Sequence, residues 1–91
     1  MIKSFRNRSL EKFFARNMVA RIKPQHRSKI YRLLDGLSAA ETLKDLDIPG
    51  WNLHRLKGKP IRYALKVQKN WRVTFAWKDG EAHEVDYEDY H

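Results

Sequence analysis

Apolar side chains recur at every second position over most of the second half of the chain, and this alternation constrains the fold more than any other feature. It runs through residues 61–68 and again through residues 71–77. A period of two is typical of strands with one buried face. Lys69-Asn70 predicts a hairpin turn between these strands, and Asp79-Gly80 predicts a second hairpin that leads into a third strand near residues 85–87. The C-terminal half is therefore predicted to be an antiparallel meander.

The first half of the chain has the period of helices instead. Ser9 is suited to cap a helix over residues 10–18, and Pro24 is suited to the first turn of a second helix over residues 25–37. The second helix is predicted to be amphipathic, because its apolar residues recur at i, i+3, i+4 and i+7: Ile30, Leu33, Leu34 and Leu37.

Two further elements complete the predicted fold. Ser38 and Glu41 have the spacing of a capping box and predict a short third helix, and residues 2–5 predict a short N-terminal strand. A strand, helices and a meander in this order predict one α+β domain over residues 1–91, with the helices packed on one face of the sheet. The other face is expected to expose polar side chains to solvent: Arg62, Lys66, Arg72 and Thr74. Trp51 is expected to cover either an edge of the core or a bound base.

The residue types and motifs that are missing exclude several classes of site. The chain has no cysteine, which excludes disulfides and thiolate metal sites. The histidines do not have metal-ligand spacing, so no metal is expected; they are His26, His54, His83 and His91. The chain lacks a GxSxG nucleophile motif and a GxxxxGK[ST] phosphate loop, and we expect no cofactor.

The net charge of +8 is the first indication of a partner. Basic residues are concentrated between Lys3 and Arg32, where Glu11 is the only acid, whereas many of the acids lie near the C-terminus. Such a charge favours nucleic acid as a partner, with anionic membranes and acidic proteins as competitors. The N-terminus has no apolar stretch behind its charges, and no window approaches the roughly 20 apolar residues that cross a bilayer. We therefore expect a cytoplasmic protein without a membrane partner.

Metal-free ribonuclease chemistry needs few groups, and the chain contains suitable ones in three segments. A base activates the ribose 2′-hydroxyl, cations stabilise the charge that develops on the phosphate, and an acid protonates the departing 5′-oxygen. Suitable side chains occur within residues 54–59, 70–72 and 87–91. Each of them also fits a structural role when taken alone: His54 fits a partly buried structural histidine, and Arg72 fits a surface ion pair.

Four segments together resemble a known toxin family. They are Met1 to Phe5, Leu53 to Gly58 (LHRLKG), Asn70 to Phe75 (NWRVTF) and Tyr87 to His91 (YEDYH), and they occur in the family's order. On these segments the chain resembles the HigB branch of the RelE/ParE toxin superfamily, also called plasmid maintenance system killer proteins. The resemblance covers essentially the whole chain, although residues 9–46 match in pattern rather than in residues.

This resemblance implies a fold, an activity and partners. The fold is the RelE-like α+β fold, and the activity is that of a ribosome-dependent mRNA endoribonuclease, the toxin of a type II toxin–antitoxin system, which inhibits translation. The implied partners are the ribosome, mRNA and a HigA-type helix-turn-helix antitoxin. Operator DNA is bound only through the complex with the antitoxin.

The resemblance also implies site residues, which are His54, Lys57, Arg72, Asp89, Tyr90 and His91. Our hypothesis is that His91 transfers a proton, because an imidazole titrates near neutral pH, and that Asp89 orients it or helps to position a base. Lys57 and Arg72 are expected to bind the scissile phosphate. His54 is expected to be a second proton-transfer group or a phosphate contact, and Tyr90 to stack on a base or hold the 2′-hydroxyl.

Further basic residues are expected to dock on ribosomal RNA through salt-sensitive contacts: Arg16, Arg21, Lys23, Arg27, Lys29, Arg32, Lys59, Arg62 and Lys66.

Two other functions stay open. One is a ParE-like poison of DNA gyrase that cuts no RNA, which would not need His54, Lys57 or the C-terminal Asp-Tyr-His. The other is a basic module that binds nucleic acid without cleaving it.

Overall fold

Two α-helices pack on one face of a four-stranded antiparallel sheet in the computed structural model, which describes residues 1–90. The strands follow one another in the sheet in the order β1-β2-β3-β4, as expected for a meander. The elements are helices α1 (Arg8–Arg16) and α2 (Arg27–Ala39), the one-turn 3-10 helices Pro24–His26 and Leu43–Leu46, and strands β1 (His54–Arg55), β2 (Tyr63–Gln68), β3 (Trp71–Lys78) and β4 (Glu81–Asp89). This architecture confirms the predicted α+β fold with helices on one sheet face.

The predicted N-terminal strand is reduced to two isolated bridges. Ile2 pairs with Ala82 and Phe5 pairs with Val85, both in parallel orientation. The segment therefore lies along the outer edge of β4, where it supplies hydrogen-bond partners to backbone groups that an edge strand would otherwise leave open.

Both predicted helix caps are displaced from their observed positions. Asn7 caps α1, because its Oδ1 accepts a hydrogen bond from the Leu10 amide at 2.9 Å, and Ser9 lies inside the first turn. Helix α2 continues past Ser38, so the pattern that begins there is not used. The capping box instead precedes the second 3-10 helix and consists of Thr42 and Asp45.

The Asp45 carboxylate is the acceptor in that capping box. Its Oδ2 accepts from the amides of Glu41 at 2.9 Å and Thr42 at 3.0 Å. These hydrogen bonds lower the pKa of Asp45, because they stabilise the charged carboxylate.

The two predicted hairpin turns are confirmed, and the strand pairing shifts register in both hairpins: between Lys66 and Gln68 in the first, and at a bulge of β4 in the second. Asp79 and Gly80 both have positive φ, 53° and 74°, as a type I′ turn requires. Thr74 of β3 faces Asp86 of β4, but Ala76 faces His83, so β4 contains one extra residue between these pairs. Glu84, with φ of 48°, lies in this bulge.

The core lies between the helices and the inner face of the sheet. Its buried side chains include Leu10, Phe13, Ile30, Leu33, Leu34, Leu37, Leu65, Val73, Phe75 and Val85. Trp51 packs against this core beside Gly36, where an added Cβ would lie 2.5 Å from the indole ring. Of its two predicted roles, Trp51 therefore has that of covering a core edge.

The prediction for the outer face of the sheet is wrong for Arg62 and Thr74. Arg62 is only 8% exposed and Thr74 is fully buried, whereas Lys66 is exposed and Arg72 is half-buried. Arg62 Nη2 donates to Thr74 Oγ1 at 3.1 Å and to the Glu84 carbonyl at 2.8 Å, and the Thr74 hydroxyl donates to the Glu88 carboxylate. The bulge supplies a carbonyl acceptor, and internal partners of this kind are what a buried cation needs.

Burial lowers the pKa of Arg62, and the positive charge of Arg6 lowers it further. The carboxylates of Glu88, Asp86 and Glu84 act in the opposite direction and raise it. Arg62 is therefore a structural cation held inside the domain.

Candidate active site

The outer face of the sheet contains a cleft of about 400 Å3 lined by His54, Arg55, Leu56, Lys57 and Tyr90. The first four residues belong to β1 and the turn after it, and Tyr90 follows β4 directly. Although β2 and β3 separate β1 from β4, residues from both of these outer strands of the sheet, or directly next to them, contribute to one cleft. The structure thus brings together three of the predicted site residues: His54, Lys57 and Tyr90.

His54 is exposed at the start of β1 and faces Ala64 of β2. Its Nδ1 lies 3.0 Å from the carbonyl oxygen of Asn52. A carbonyl only accepts hydrogen bonds, so Nδ1 carries the hydrogen. In the neutral ring Nε2 is then the nitrogen that accepts a proton.

Lys57 is exposed in the turn that follows β1. The next residue, Gly58, has φ of 95°, a conformation that side chains with a Cβ rarely adopt. This turn places the ammonium group of Lys57 beside the same cleft as the imidazole of His54.

Tyr90 is 46% exposed and contributes its ring to the cleft. Its backbone amide donates to the Asn70 carbonyl at 2.8 Å, which extends the β3–β4 pairing by one bond. With Leu56 in the same lining, an exposed tyrosine offers an apolar surface on which a nucleobase can stack.

Arg72 shares the face of this cleft but does not line it. It faces Lys66 of β2 and Glu88 of β4, and residues directly opposite each other on paired strands share a face. Its Nη1 donates to the carbonyls of Lys69 at 2.5 Å and Trp71 at 3.1 Å. The guanidinium is therefore held at the turn between β2 and β3.

Asp89 lies on the opposite face of the sheet from the cleft. It faces Trp71, whose ring packs with Tyr87 on the helix side. Burial raises the pKa of the Tyr87 phenol, and the negative charge of Asp89 adds to this. The structure therefore does not bring Asp89 together with His54, Lys57 and Tyr90. His91, the sixth predicted site residue, lies outside the described residues.

A group of basic side chains lies where α2 meets β2. Lys29 Nζ donates to the Gly50 carbonyl at 3.2 Å. Partial burial lowers the pKa of Lys29, and the nearby charges of Arg32 and Lys66 lower it further. In this basic cluster, Lys29 with Arg32 and Lys66, the charges of Arg32 and Lys66 disfavour the charged form of Lys29.

The other basic residues that were predicted to contact RNA are in two situations. Exposed ones are Arg16, Arg21, Lys23 and Lys59. Arg27 is half-buried and donates to the carbonyls of Ile22 at 3.0 Å and Val19 at 3.4 Å, and Arg62 is buried as described. The guanidinium groups of Arg27 and Arg62 are therefore held by internal hydrogen bonds.

Sequence reasoning assigned no role to Arg55 and Leu56, which also line the cleft. Their position between His54 and Lys57 in the sequence could have indicated that they lie at the same site. Within residues 1–90, no group of three or more His, Asp or Glu side chains is arranged to hold a metal ion. In the same range, no helix is long and apolar enough to cross a membrane.

Comparison with known proteins identifies the family of this chain. Residues 3–91 match the model of the HigB-like toxin family, described as the RelE-like toxin of the type II toxin–antitoxin system HigB. The chain belongs to this family. It is also 34% identical over 92 residues to the endoribonuclease HigB of Proteus vulgaris, with all of both chains covered. As a type II toxin, this HigB-like chain has an antitoxin as its partner.

Proposed function

We propose that this HigB-like toxin is an mRNA endoribonuclease that acts on the ribosome and cleaves by attack of the ribose 2′-hydroxyl on the scissile phosphate. The observation that carries the proposal is the cleft that combines an imidazole, an ammonium group and an exposed tyrosine ring on one sheet face. The full-length similarity to a protein named an endoribonuclease supports it.

His54 is the residue of the cleft suited to take the 2′-hydroxyl proton. With Nδ1 protonated against the Asn52 carbonyl, Nε2 is the basic nitrogen. As the proton leaves, the 2′-oxygen bonds to phosphorus and the bond to the 5′-oxygen breaks, which yields a 2′,3′-cyclic phosphate and, after protonation, a 5′-hydroxyl.

Lys57 supplies positive charge for the phosphate as its negative charge increases in the transition state. Arg72 is a second cation on the same face, and it reaches the phosphate if substrate draws its guanidinium away from the Lys69 carbonyl. Tyr90 stacks on a base of the mRNA beside Leu56.

Asp89 and His91 are proposed on the family resemblance rather than on geometry. His91 would protonate the 5′-oxygen, so that the chain uses one imidazole as base and another as acid. Asp89 would orient that end of the chain from the helix side of the sheet, opposite Trp71.

The exposed cations give the toxin a surface for ribosomal RNA. The basic cluster of Lys29, Arg32 and Lys66 is the strongest part of it, because an approaching phosphate offsets the repulsion that Arg32 and Lys66 exert on the charged Lys29. Arg16, Arg21, Lys23 and Lys59 extend the surface. We leave Arg27 and Arg62 out of it, since internal carbonyls already hold their guanidinium groups.

The proposed partners follow from the family. The antitoxin is of the HigA helix-turn-helix type, and operator DNA is bound only by the complex of toxin and antitoxin. Since ribosomes are the site of action, the toxin works in the cytoplasm.

The test is tightly repressed expression of the wild type, His54→Ala and His83→Ala, followed by mapping of mRNA ends within translated reading frames. His83 is a matched control, because it lies in β4 at the end of the sheet away from Tyr90 and its Nε2 contacts the Lys78 carbonyl at 3.3 Å. We expect in-frame cuts with the wild type and His83→Ala, and a loss of about 10²–10⁴-fold with His54→Ala.

Each other outcome has a distinct meaning. Growth arrest without mRNA cuts would point to gyrase or another target. Neither cuts nor arrest would leave a basic module that binds nucleic acid without cleaving it. Full cleavage by His54→Ala would remove His54 from the proposed mechanism.

A further inference from the structure

A polar network is buried on the helix side of the sheet, behind the end of β4 that leads to Tyr90. Its centre is His26 at the end of the first 3-10 helix, which is only 1% exposed. His26 Nδ1 lies 2.6 Å from the Tyr87 hydroxyl, and Nε2 lies 3.0 Å from Gln68 Oε1. The three residues are far apart in sequence, so the network joins the helical layer to β2 and β4.

The partners determine the direction of each hydrogen bond. Gln68 Oε1 only accepts, so Nε2 of His26 carries the ring hydrogen and Nδ1 accepts from the Tyr87 hydroxyl. The Tyr87 oxygen in turn accepts from the backbone amide of Lys23. Both ring nitrogens of His26 therefore have a partner, and within residues 1–90 no buried side-chain nitrogen or oxygen lacks one.

Burial raises the pKa of the Tyr87 phenol, the hydrogen bond from Lys23 acts in the opposite direction, and the Asp89 carboxylate raises the pKa as well. The phenol therefore keeps its proton at neutral pH and remains a donor to His26. The effect of Asp89 also places its charge near this network.

Aromatic packing adds to the hydrogen bonds. The Trp71 and Tyr87 rings lie 4.6 Å apart, and the His26 ring lies 5.6 Å from Trp71 and meets Tyr87 edge-on at 5.9 Å. Lys23 Nζ lies 5.4 Å from the centre of the Trp71 ring. The network thus touches β2, β3 and β4 at the end where two proposed site residues, Asp89 and Tyr90, leave the sheet.

The pairing of β3 with β4 comes to its end here. Trp71 is the last β3 residue paired with it, and the Tyr90 amide bond to Asn70 is the next. A buried polar network stabilises a fold less than apolar packing of the same volume can, but when fully satisfied it selects one arrangement. Tyr87 precedes Tyr90 by three residues, so an ordered Tyr87 limits where the tyrosine ring of the cleft can lie.

We propose that His26 and Tyr87 are positioning residues, which through their mutual hydrogen bond hold the end of β4 and thereby place Asp89 and Tyr90 for cleavage. This inference rests on the proposed function. Neither residue touches the substrate, since both lie behind the sheet.

The test compares Tyr87→Phe with Tyr63→Phe in mRNA cleavage on purified ribosomes. Tyr63→Phe removes the same hydroxyl from the same face of the sheet, where the Tyr63 ring packs 5.9 Å from Phe75 and, among the described residues, its hydroxyl makes no hydrogen bond. Both variants keep the aromatic ring, so both are expected to fold. We expect Tyr87→Phe to lower kcat about tenfold or more at unchanged KM, because a small misplacement of reacting groups is costly, and Tyr63→Phe to match the wild type.

A second pair of variants separates positioning from packing. His26→Asn offers an amide oxygen to the Tyr87 hydroxyl, whereas His26→Leu fills the site with an apolar side chain that cannot accept. We expect kcat to fall less in His26→Asn than in His26→Leu, with thermal unfolding used to work where every variant is folded.

Two results would overturn the inference alone: wild-type kcat in Tyr87→Phe, or equal kcat in His26→Leu and His26→Asn. Both require that the wild type cleaves mRNA. If the wild type itself does not cleave, the proposed function fails, and this inference fails with it.

Discussion

The largest change in stability is expected on substitution of the buried Arg62. Arg62→Met keeps much of the alkyl volume but removes the charged donor that bonds Thr74 Oγ1 at 3.1 Å and the Glu84 carbonyl at 2.8 Å. Hydrogen bonds to charged groups contribute about 1.5–3 kcal/mol each, and relief of the buried charge offsets part of the loss. We expect the free energy of unfolding to fall by about 2–4 kcal/mol, which lowers Tm by roughly 10–20 °C in a domain of this size.

The matched control is Arg6→Met. Arg6 also bonds Glu84, at 3.4 Å, but both side chains are largely exposed, 46% and 61%, and such a pair contributes about 0–1 kcal/mol. Urea and thermal unfolding of both variants measure the difference, and ribosome binding of folded Arg62→Met should equal that of the wild type. If Arg62→Met were as stable as Arg6→Met, or bound ribosomes more weakly while folded, the structural assignment of Arg62 would be refuted.

Three further predictions concern the basic cluster, a cap and a turn. Lys29→Gln should raise the free energy of unfolding at neutral pH, because the lowered pKa of Lys29 means that folding disfavours the charged amine. The same variant should reduce the salt slope of ribosome binding by about one. A lower free energy of unfolding would contradict the first expectation. The lowered pKa of Asp45 gives the wild type stability above pH 3.8, which is lost as the pH falls through that lowered pKa. Asp45→Asn should lack this stability, so the free energies of unfolding of the two proteins should converge in acid. A difference that grows in acid would contradict this. In Gly58→Ala the added Cβ meets no atom within 4 Å, so its effect comes from the φ of 95° alone. We expect a loss of about 1–2 kcal/mol in urea unfolding and slower cleavage, because Lys57 moves. An unchanged cleavage rate would show that the conformation of this turn does not matter for catalysis.

The sheet could be predicted from sequence because its signals are local. Alternation depends only on strand geometry, and Asp79-Gly80 has the conformational freedom that a tight hairpin requires. Helix ends were harder to predict, because Asn7 and Ser9 are both residue types that cap helices well. Only the observed hydrogen bond from the Leu10 amide to Asn7 distinguishes them.

The outer face of the sheet was mispredicted for a non-local reason. Arg62 and Thr74 are buried because the bulge at Glu84 presents a carbonyl to Arg62 and because Thr74 bonds Glu88 from the neighbouring strand. An extra residue in one strand has no reliable sequence signature, so the alternation that identifies the strand cannot reveal its cross-strand partners.

Three of the six predicted site residues line one cleft, but their arrangement there could not be predicted. His54, Lys57 and Tyr90 were found from family motifs, but their meeting in one cleft depends on how the turn after β1 approaches the far end of the sheet. The role of His26 had no local signal, because its partners Gln68 and Tyr87 lie 42 and 61 residues away.

Cleavage by a ribose hydroxyl at the cleft of His54, Lys57 and Tyr90 is the central proposal. The direct measurement is cleavage on ribosomes of an mRNA with a single 2′-deoxy nucleotide on the 5′ side of the cut, compared with the all-ribose mRNA. We expect cleavage of the all-ribose mRNA to a 2′,3′-cyclic phosphate and none at the deoxy position. Equal cleavage of both, or products with a 5′-phosphate, would refute attack by the ribose 2′-hydroxyl.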